Sequence, residues 1–397
     1  MDTLTADRVK SLADKYFEEV RDIRRHIHAN PELSFEEFET AKFISARLTE
    51  WGIEHDTGVC ETGTVAYVSG QGEGPVVALR ADIDALPILE QSDKSYASIN
   101  KGVMHACGHD VHTACALGAL KILHDTREEW SGTLKVIFQP GEEKLPGGAS
   151  LMIKEGVLKN PDVELIIGQH VFTDLPAGQV GFKEGMYMAS ADEIYLTVKG
   201  KGGHAAMPHK TIDPILISAH ILTALQQVVS RHASPITPSV LSFGKIIGEG
   251  ATNVIPSEVK LEGTFRTFDE EWRTAAHEQI TRIAEHTAQA MGGTCEVDIH
   301  VGYPFLKNDV PLTARCRSHA QQYLGETNVV ELPLRMTAED FSYYSQVSPA
   351  CFYRLGTTTP EGTLNSPVHT STFDIDEEAL KTGMGLMAFL ALSELGT

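Results

Sequence analysis

The chain has 397 residues and a formal net charge of −21, with 42% hydrophobic and 22% charged residues. That length buries one large core or two ordinary ones, and the composition is that of a globular protein. The acidic balance argues against nucleic acid, because neutralising phosphates needs an excess of Lys and Arg, and equally against an anionic membrane surface.

Apolar residues at helical spacing (Val9, Leu12, Tyr16, Val20, Ile23, Ile27) predict a helix over 6–29, ended by Pro31, and a second over 38–51, closed by Gly52. Strands are predicted at 63–69 and 76–80, a helix at 109–124, a strand at 133–138, a helix at 148–155 and a strand at 164–168. Short, continuously apolar strands alternating with helices point to an α/β fold with a mainly parallel sheet covered on both faces. After about residue 185 the pattern changes to strand 194–199, helix 213–231, strands 239–247 and 258–266, helix 270–291 and strand 294–300. That β-α-β-β-α-β order is the ferredoxin-like split unit, and Gly185 and Gly302-Tyr-Pro304 give its two ends a hinge composition. A helix at 311–324, a strand at 350–355 and a helix at 376–395 resume the first pattern. The expected organisation is therefore a catalytic domain in two parts, 1–185 and 301–397, with an inserted domain over 186–300.

The charged start, Met1 to Asp7, lacks the apolar core of a secretory signal, and no uncharged run approaches the roughly 20 residues that span a bilayer. Six cysteines without paired spacing predict reduced thiols in a cytoplasmic protein. Five of them (Cys60, Cys115, Cys295, Cys316, Cys351) read as small buried apolar residues.

The chemistry concentrates in His105-Ala-Cys-Gly-His-Asp110, Glu142-Glu143, His170 and His369. Cys107 and His109 offer two ligands of different softness, the carboxylate pair and the isolated histidines could complete a two-metal site, and such a site activates water for hydrolysis. Two ligands at i, i+2 need a turning backbone, which Gly108 permits. Glu142 and Glu143 follow a predicted strand, where ligands of open α/β sheets collect, and adjacent residues point to opposite sides, so one can bind metal while the other moves a proton. Taken alone, Cys107 and His109 also suit a buried thiol beside a capping histidine, Glu142-Glu143 a solvated acidic turn, and His170 and His369 surface loops. Asp82 and Asp84 follow strand 76–80, where Asp84 could fix the tautomer of a ligand histidine. His105 and His112 read as structural. In the inserted segment, His204 could donate to a developing oxyanion and Arg266 could grip a carboxylate, though Asn253 is equally a turn residue and Arg266 a surface residue.

Six motifs occur in order along nearly the whole chain. They are Arg25-His-Ile-His-Ala-Asn-Pro-Glu32, Arg80-Ala-Asp-Ile-Asp-Ala-Leu-Pro87 and Met104-His-Ala-Cys-Gly-His-Asp-Val-His-Thr113, then Phe138-Gln-Pro-Gly-Glu-Glu143, Gly203-His-Ala-Ala-Met-Pro-His209 and Thr337-Ala-Glu-Asp-Phe341. In these the chain resembles the co-catalytic zinc-type metallopeptidase superfamily of aminoacylases and bacterial carboxypeptidases. Within it the match is to the amidohydrolase branch of hippurate hydrolases, indole-acetyl-amino-acid hydrolases and N-acetyl-diaminopimelate deacetylases. The resemblance implies a catalytic domain of the zinc-exopeptidase type with an inserted lid and dimerisation domain, and two divalent ions (Zn, Mn, Co or Ni) on Cys107, His109, Glu143, His170 and His369. It also implies Glu142 as general base, Asp84 as support of the metal site, His204 as polariser of the scissile carbonyl, and Asn253 and Arg266 as holders of the substrate carboxylate. Cys107 marks the branch, since relatives place an aspartate there, and Asp82 stands where those relatives carry a histidine ligand.

The expected function is metal-dependent hydrolysis of N-acyl amino acids, with acetyl, benzoyl or similar acyl groups, by a cytoplasmic homodimer or higher homo-oligomer. The alternatives are a metallo-carboxypeptidase or dipeptidase acting on short peptides, and a thiol hydrolase with Cys107 as nucleophile.

Overall fold

The structure, a computed structural model, describes residues 5–364 and 366–396; Met1–Leu4, Asn365 and Thr397, which include the start of the expected first segment, lie outside the described residues. The chain divides into two compact units, one of Met1–Tyr187, Lys307–Leu334 and Asp340–Thr397, the other of Met188–Leu306 and Arg335–Glu339.

The first unit is built on an eight-stranded sheet in the order Glu54–Val59, Gly63–Ser69, Thr133–Gln139, Val76–Asp82, Leu165–Pro176, Ala350–Thr358, Val180–Phe182, Val329–Glu331. The four central strands, from Thr133–Gln139 to Ala350–Thr358, are mutually parallel. Three of them are buried almost end to end and Leu165–Pro176 over its first seven residues, which is why they read as unbroken apolar runs rather than alternating ones. The mainly parallel α/β expectation holds. Two differences have physical reasons. Glu54–Val59 is a polar, solvent-facing edge strand, so it carries no apolar signal. Strand 164–168 continues to Pro176, because its ladder with Ala350–Thr358 runs on, Gln169 opposite Tyr353 and His170 opposite Arg354. His170 therefore sits inside a strand, not just past the end of the predicted strand 164–168.

The second unit has a four-stranded antiparallel sheet in the order Ser239–Ile247, Glu258–Thr267, Asp192–Lys199, Thr294–Val301. With the helices Pro214–Gln227 and Glu270–Ala290 this is the split β-α-β-β-α-β order. Alternate residues of Asp192–Lys199 are buried, so one face carries the core. There Ile194, Leu196 and Val198 meet Ile217, Ile221 and Leu225 of one helix and Ala276, Ile280 and Ala284 of the other. Asp213 and Asp269 cap these helices by accepting from Leu216 and Trp272 N–H.

All six cysteines are free and buried, and among the described residues no helix is long and apolar enough to cross a membrane.

The helix His109–Asp125 is buried through most of its length, polar first turn included, as a helix enclosed by others must be. It packs against Ala6–Ala29 and Ala379–Glu394 and against the sheet. Its N-terminal turn is anchored by a fully buried ion pair, Arg24 Nε donating to Asp110 Oδ2 at 2.7 Å, while His28 Nδ1 lies 2.8 Å from the same oxygen and Asp374 accepts from Arg24 at 3.0 Å. Burial alone would raise the Asp110 carboxyl, but Arg24 and His28 hold it well below the ordinary carboxylate range. Asp110→Asn, which keeps the shape and removes the charge, is expected to lower the unfolding free energy by about 3–5 kcal/mol in urea titrations at pH 7. Because the folded-state carboxyl is depressed, the gap between the proteins should stay constant above about pH 5 and close only well below it.

Candidate active site

Two of the parallel strands deliver chemistry at their carboxyl ends, where such sheets gather ligands, and a third carries a candidate ligand within its length. Val76–Asp82 ends on Asp82 with Asp84 two residues on, Thr133–Gln139 is followed by Glu142 and Glu143, and Leu165–Pro176 carries His170. Cys107 and His109 flank Gly108, whose left-handed φ of 78° turns the chain into the helix His109–Asp125. A Cβ on Gly108 would come within 2.6 Å of the Val171 side chain, so the turn needs glycine both for conformation and for space. His369, itself at φ 65°, is tied in by its N–H donating to Ala106 O at 2.7 Å.

These segments bring Cys107, His109, Glu142, Glu143, His170 and His369 together. Cys107 Sγ is 3.5 Å from His170 Nε2 and 3.3 Å from His369 Nε2, and His369 Nε2 is 3.1 Å from Glu143 Oε1. Cys107, His109 and His170 form one group of potential ligands, Cys107, Glu143 and His369 a second, and His109, Glu142 and Glu143 a third, with the ligand atoms of each group within 4.8 Å of one another. Cys107 belongs to two of these groups, so its sulfur stands between them.

The donor set fits divalent cations. His170 Nδ1 donates to Val171 O at 2.8 Å, and His109 Nδ1 lies 3.1 Å from Asp84 Oδ1. Both rings thereby turn Nε2 into the cluster, and His109 Nε2 is buried there without a hydrogen-bond partner. Burial would lower His109, yet Asp82 and Asp84 raise it to about 10. Burial together with Glu143 pushes the Cys107 thiol well up, and Glu143 raises His369. In these three shifts the neighbouring carboxylates act with the sign expected of a pocket that holds excess negative potential and favours a bound positive charge, whereas burial and Arg354 hold His170 well below its ordinary value.

Around this cluster lies a shell that composition and motif spacing only partly announced. Asp84, fully buried, accepts from Ser34 Oγ at 2.7 Å and from the Glu143 N–H at 2.9 Å while facing His109. Asp82 lies 2.5 Å from His112 Nδ1 and accepts from Arg80 at 2.6 Å. His112 Nε2 accepts the Val171 N–H at 2.8 Å, so both its nitrogens are engaged and its role is to hold the strand that carries His170. Asp340, from the Thr337–Phe341 motif, had no role in the sequence reading. It accepts from Arg80, Gln139 and the Ala149 N–H at 2.6–3.0 Å, and its own N–H donates to Glu142 Oε1 at 3.4 Å. The only hint of it was a carboxylate inside a motif. His105 is buried with neither ring nitrogen hydrogen-bonded, and burial lowers it to about 4.

The remaining three expected residues belong to the second unit. His204 and Asn253 are exposed neighbours: the bridge of Gly203–His204 with Val254–Ile255 sets His204 opposite Val254, and Asn253 O accepts the Ala205 N–H. Arg266 lies on Glu258–Thr267 opposite Val240, with Nη1 3.4 Å from Met336 O. No hydrogen bond or ion pair joins it to the other two among the described residues.

Gly108→Ala is expected to cost about 1–3 kcal/mol and to lose most of the bound metal, read by urea titration and elemental analysis. Full metal occupancy at unchanged stability would show that this turn does not set the two ligands.

A family model, Peptidase family M20/M25/M40, matches residues 78–393. The chain is 41% identical to an N-acetylcysteine deacetylase of Bacillus subtilis, over 97% of this chain and 100% of that protein. It is 40% identical to an IAA-amino acid hydrolase of Arabidopsis thaliana, over 95% and 86%. Among solved structures it is similar to a dinuclear metal binding peptidase of the M20 family from Bacillus subtilis, with a TM-score of 0.82 and 37% identity over 96% of this chain and 98% of that one. With that match in sequence and fold, and with the potential ligands gathered at the carboxyl edge of its sheet, the chain belongs to the M20/M25/M40 peptidase family.

Proposed function

We propose that this protein is a metal-dependent amidohydrolase that splits N-acyl amino acids into a carboxylic acid and a free amino acid. The observation that carries the reading is the pair of ligand groups sharing Cys107, with the second carboxylate, Glu142, buried beside them. Cys107, His109 and His170 would hold one divalent ion and Cys107, Glu143 and His369 the other, drawn from Zn, Mn, Co or Ni. Bound there, the ions supply acidity to water and polarise the amide carbonyl. Glu142 Oε2 stands 3.9 Å from His109 Nε2. From there it takes the proton of the attacking water and passes it to the departing amine, so that one carboxylate serves both half-steps. Asp84 keeps His109 oriented through its hydrogen bond, and Asp340 does the same for Glu142.

In the second unit, His204 donates to the carbonyl oxygen while Asn253 and Arg266 hold the amino-acid carboxylate, and this unit serves as lid and as the surface of a homodimer. The substrate is an N-acyl amino acid or short peptide, and the buried free thiols fit a reducing cytoplasm. A thiol mechanism is disfavoured, because burial and Glu143 push Cys107 upward, the reverse of what activates a nucleophilic cysteine.

Glu142→Gln is expected to lower kcat by about 10²–10⁴-fold with metal content unchanged, measured on N-acetyl and N-benzoyl amino acids after reconstitution with Mn²⁺ or Zn²⁺. Near-normal turnover would remove Glu142 as the base. Arg266→Ala should raise KM for substrates with a free α-carboxylate by about tenfold or more. An equal loss on the α-carboxamide analogue would refute the clamp.

A further inference from the structure

The loop that carries Glu142 and Glu143 also borders a cavity of about 560 Å³ within the first unit, walled by Phe35, Cys60, Glu61, Leu145, Pro146 and Leu151. Three of its walls are chain neighbours of residues at the metal cluster or of residues hydrogen-bonded to the loop that carries Glu142. Phe35 follows Ser34, the donor to Asp84, and its ring lies so close to Gly141 that a Cβ there would stand 2.3 Å from Cζ. Lys144, also on the cavity, follows Glu143. Glu61 precedes Thr62, whose hydroxyl donates to Glu37 at 2.7 Å, and Glu37 accepts the Gly141 N–H at 2.9 Å.

The backbone singles out the same place. Among the described residues, the non-glycine positions with positive φ are Phe35 (66°), Cys60 (53°), Glu61 (69°), Asn160 (52°) and His369 (65°). Three line this cavity and a fourth lies in the metal cluster. Left-handed conformations of such residues cost on the order of 1–3 kcal/mol each and collect where a ligand is clamped. The volume is that of a small-molecule pocket. Its cations, Lys144 and Lys154, are exposed, and Glu155 already accepts the Cys60 N–H at 2.8 Å, so the walls offer an apolar group a surface and a carboxylate no buried partner.

We propose that this cavity receives the acyl group of the substrate, and that Phe35, Leu145 and Leu151 set which acyl groups are accepted. The inference rests on the amidohydrolase reading, which assigns the amino-acid carboxylate to Arg266 and leaves the acyl end to the first unit.

The test is kcat/KM across N-acetyl, N-hexanoyl, N-benzoyl and N-indole-acetyl amino acids for wild type, Leu151→Trp and Leu145→Trp. Leu145 is 41% exposed, so its replacement guards against a folding failure at Leu151. Filling the cavity should lower the aryl-acyl rates by about tenfold or more while N-acetyl substrates stay within about twofold. A parallel loss on every acyl group, or no change, overturns the proposal. In a second measurement, benzoate and indole-3-acetate are titrated calorimetrically into the metal-loaded proteins. Wild-type binding that weakens about tenfold in either tryptophan variant supports the cavity as the acyl site, and absent or unaltered binding overturns it. If wild type hydrolyses no N-acyl amino acid, the amidohydrolase reading falls, and this titration alone decides whether the cavity takes an aryl acid.

Discussion

The site depends on one buried carboxylate. Asp84 faces His109 Nδ1 with one oxygen and accepts from Ser34 Oγ and the Glu143 N–H with the other. These contacts join the strand Val76–Asp82 to the helix start that bears His109, the loop that bears Glu143 and the segment leading to Phe35. A carboxylate buried this completely persists only if its acceptor positions are filled. Asp84 is held below its usual range because His109, Glu143 N–H and Ser34 outweigh the effect of burial. Removing it would leave His109 free to turn and the Glu143 N–H unpaired, so one contact set fixes ligand orientation and loop position together.

The surrounding electrostatics show the same economy. Asp82, Asp84, Asp110 and Asp340 are all buried, a concentration of negative charge that a low-dielectric interior tolerates only with partners. Arg24 answers Asp110, and Arg80 answers both Asp82 and Asp340. Glu142 and Glu143 reach the cluster from the other side, and the two arginines, each committed to carboxylates outside it, leave its excess to His109. A proton on His109 is a makeshift answer. Divalent cations are the stronger one, and their binding must expel that proton, so metal affinity should be coupled to pH through this ring.

How far the sequence reveals this follows from the range of each interaction. Cys107, Gly108, His109 and the Glu142-Glu143 pair are legible because their chemistry and their turn are encoded within a few residues. The central strands are legible because burial on both faces writes an apolar run. Glu54–Val59 is not, since a polar edge strand gains its order from a ladder and not from apolar burial. His170 was misplaced for a related reason: a backbone ladder with Ala350–Thr358 continues through a polar residue without regard to its side chain. Asp340 and His112 act only through partners far away in sequence, Asp340 on Gln139 and Glu142, His112 on Val171, and no spacing rule connects those positions. Their motifs marked them while their partners stayed hidden.

Strain gives the last link between fold and site. Phe35, Cys60, Glu61 and His369 hold left-handed backbone without being glycine, and together these cost several kcal/mol against a net stability of about 5–15 kcal/mol for a typical domain. Such positions persist only where surrounding contacts over-determine them. His369 is pinned by its N–H on Ala106 O, Cys60 by its N–H on Glu155, and Phe35 by its ring packed on Gly141. The buried helix and sheet beneath supply the stability that offsets this local cost. Relaxing any of these turns would move a side chain at the cavity or in the cluster, so four of the five left-handed non-glycine positions among the described residues lie where side-chain position matters most for the proposed chemistry.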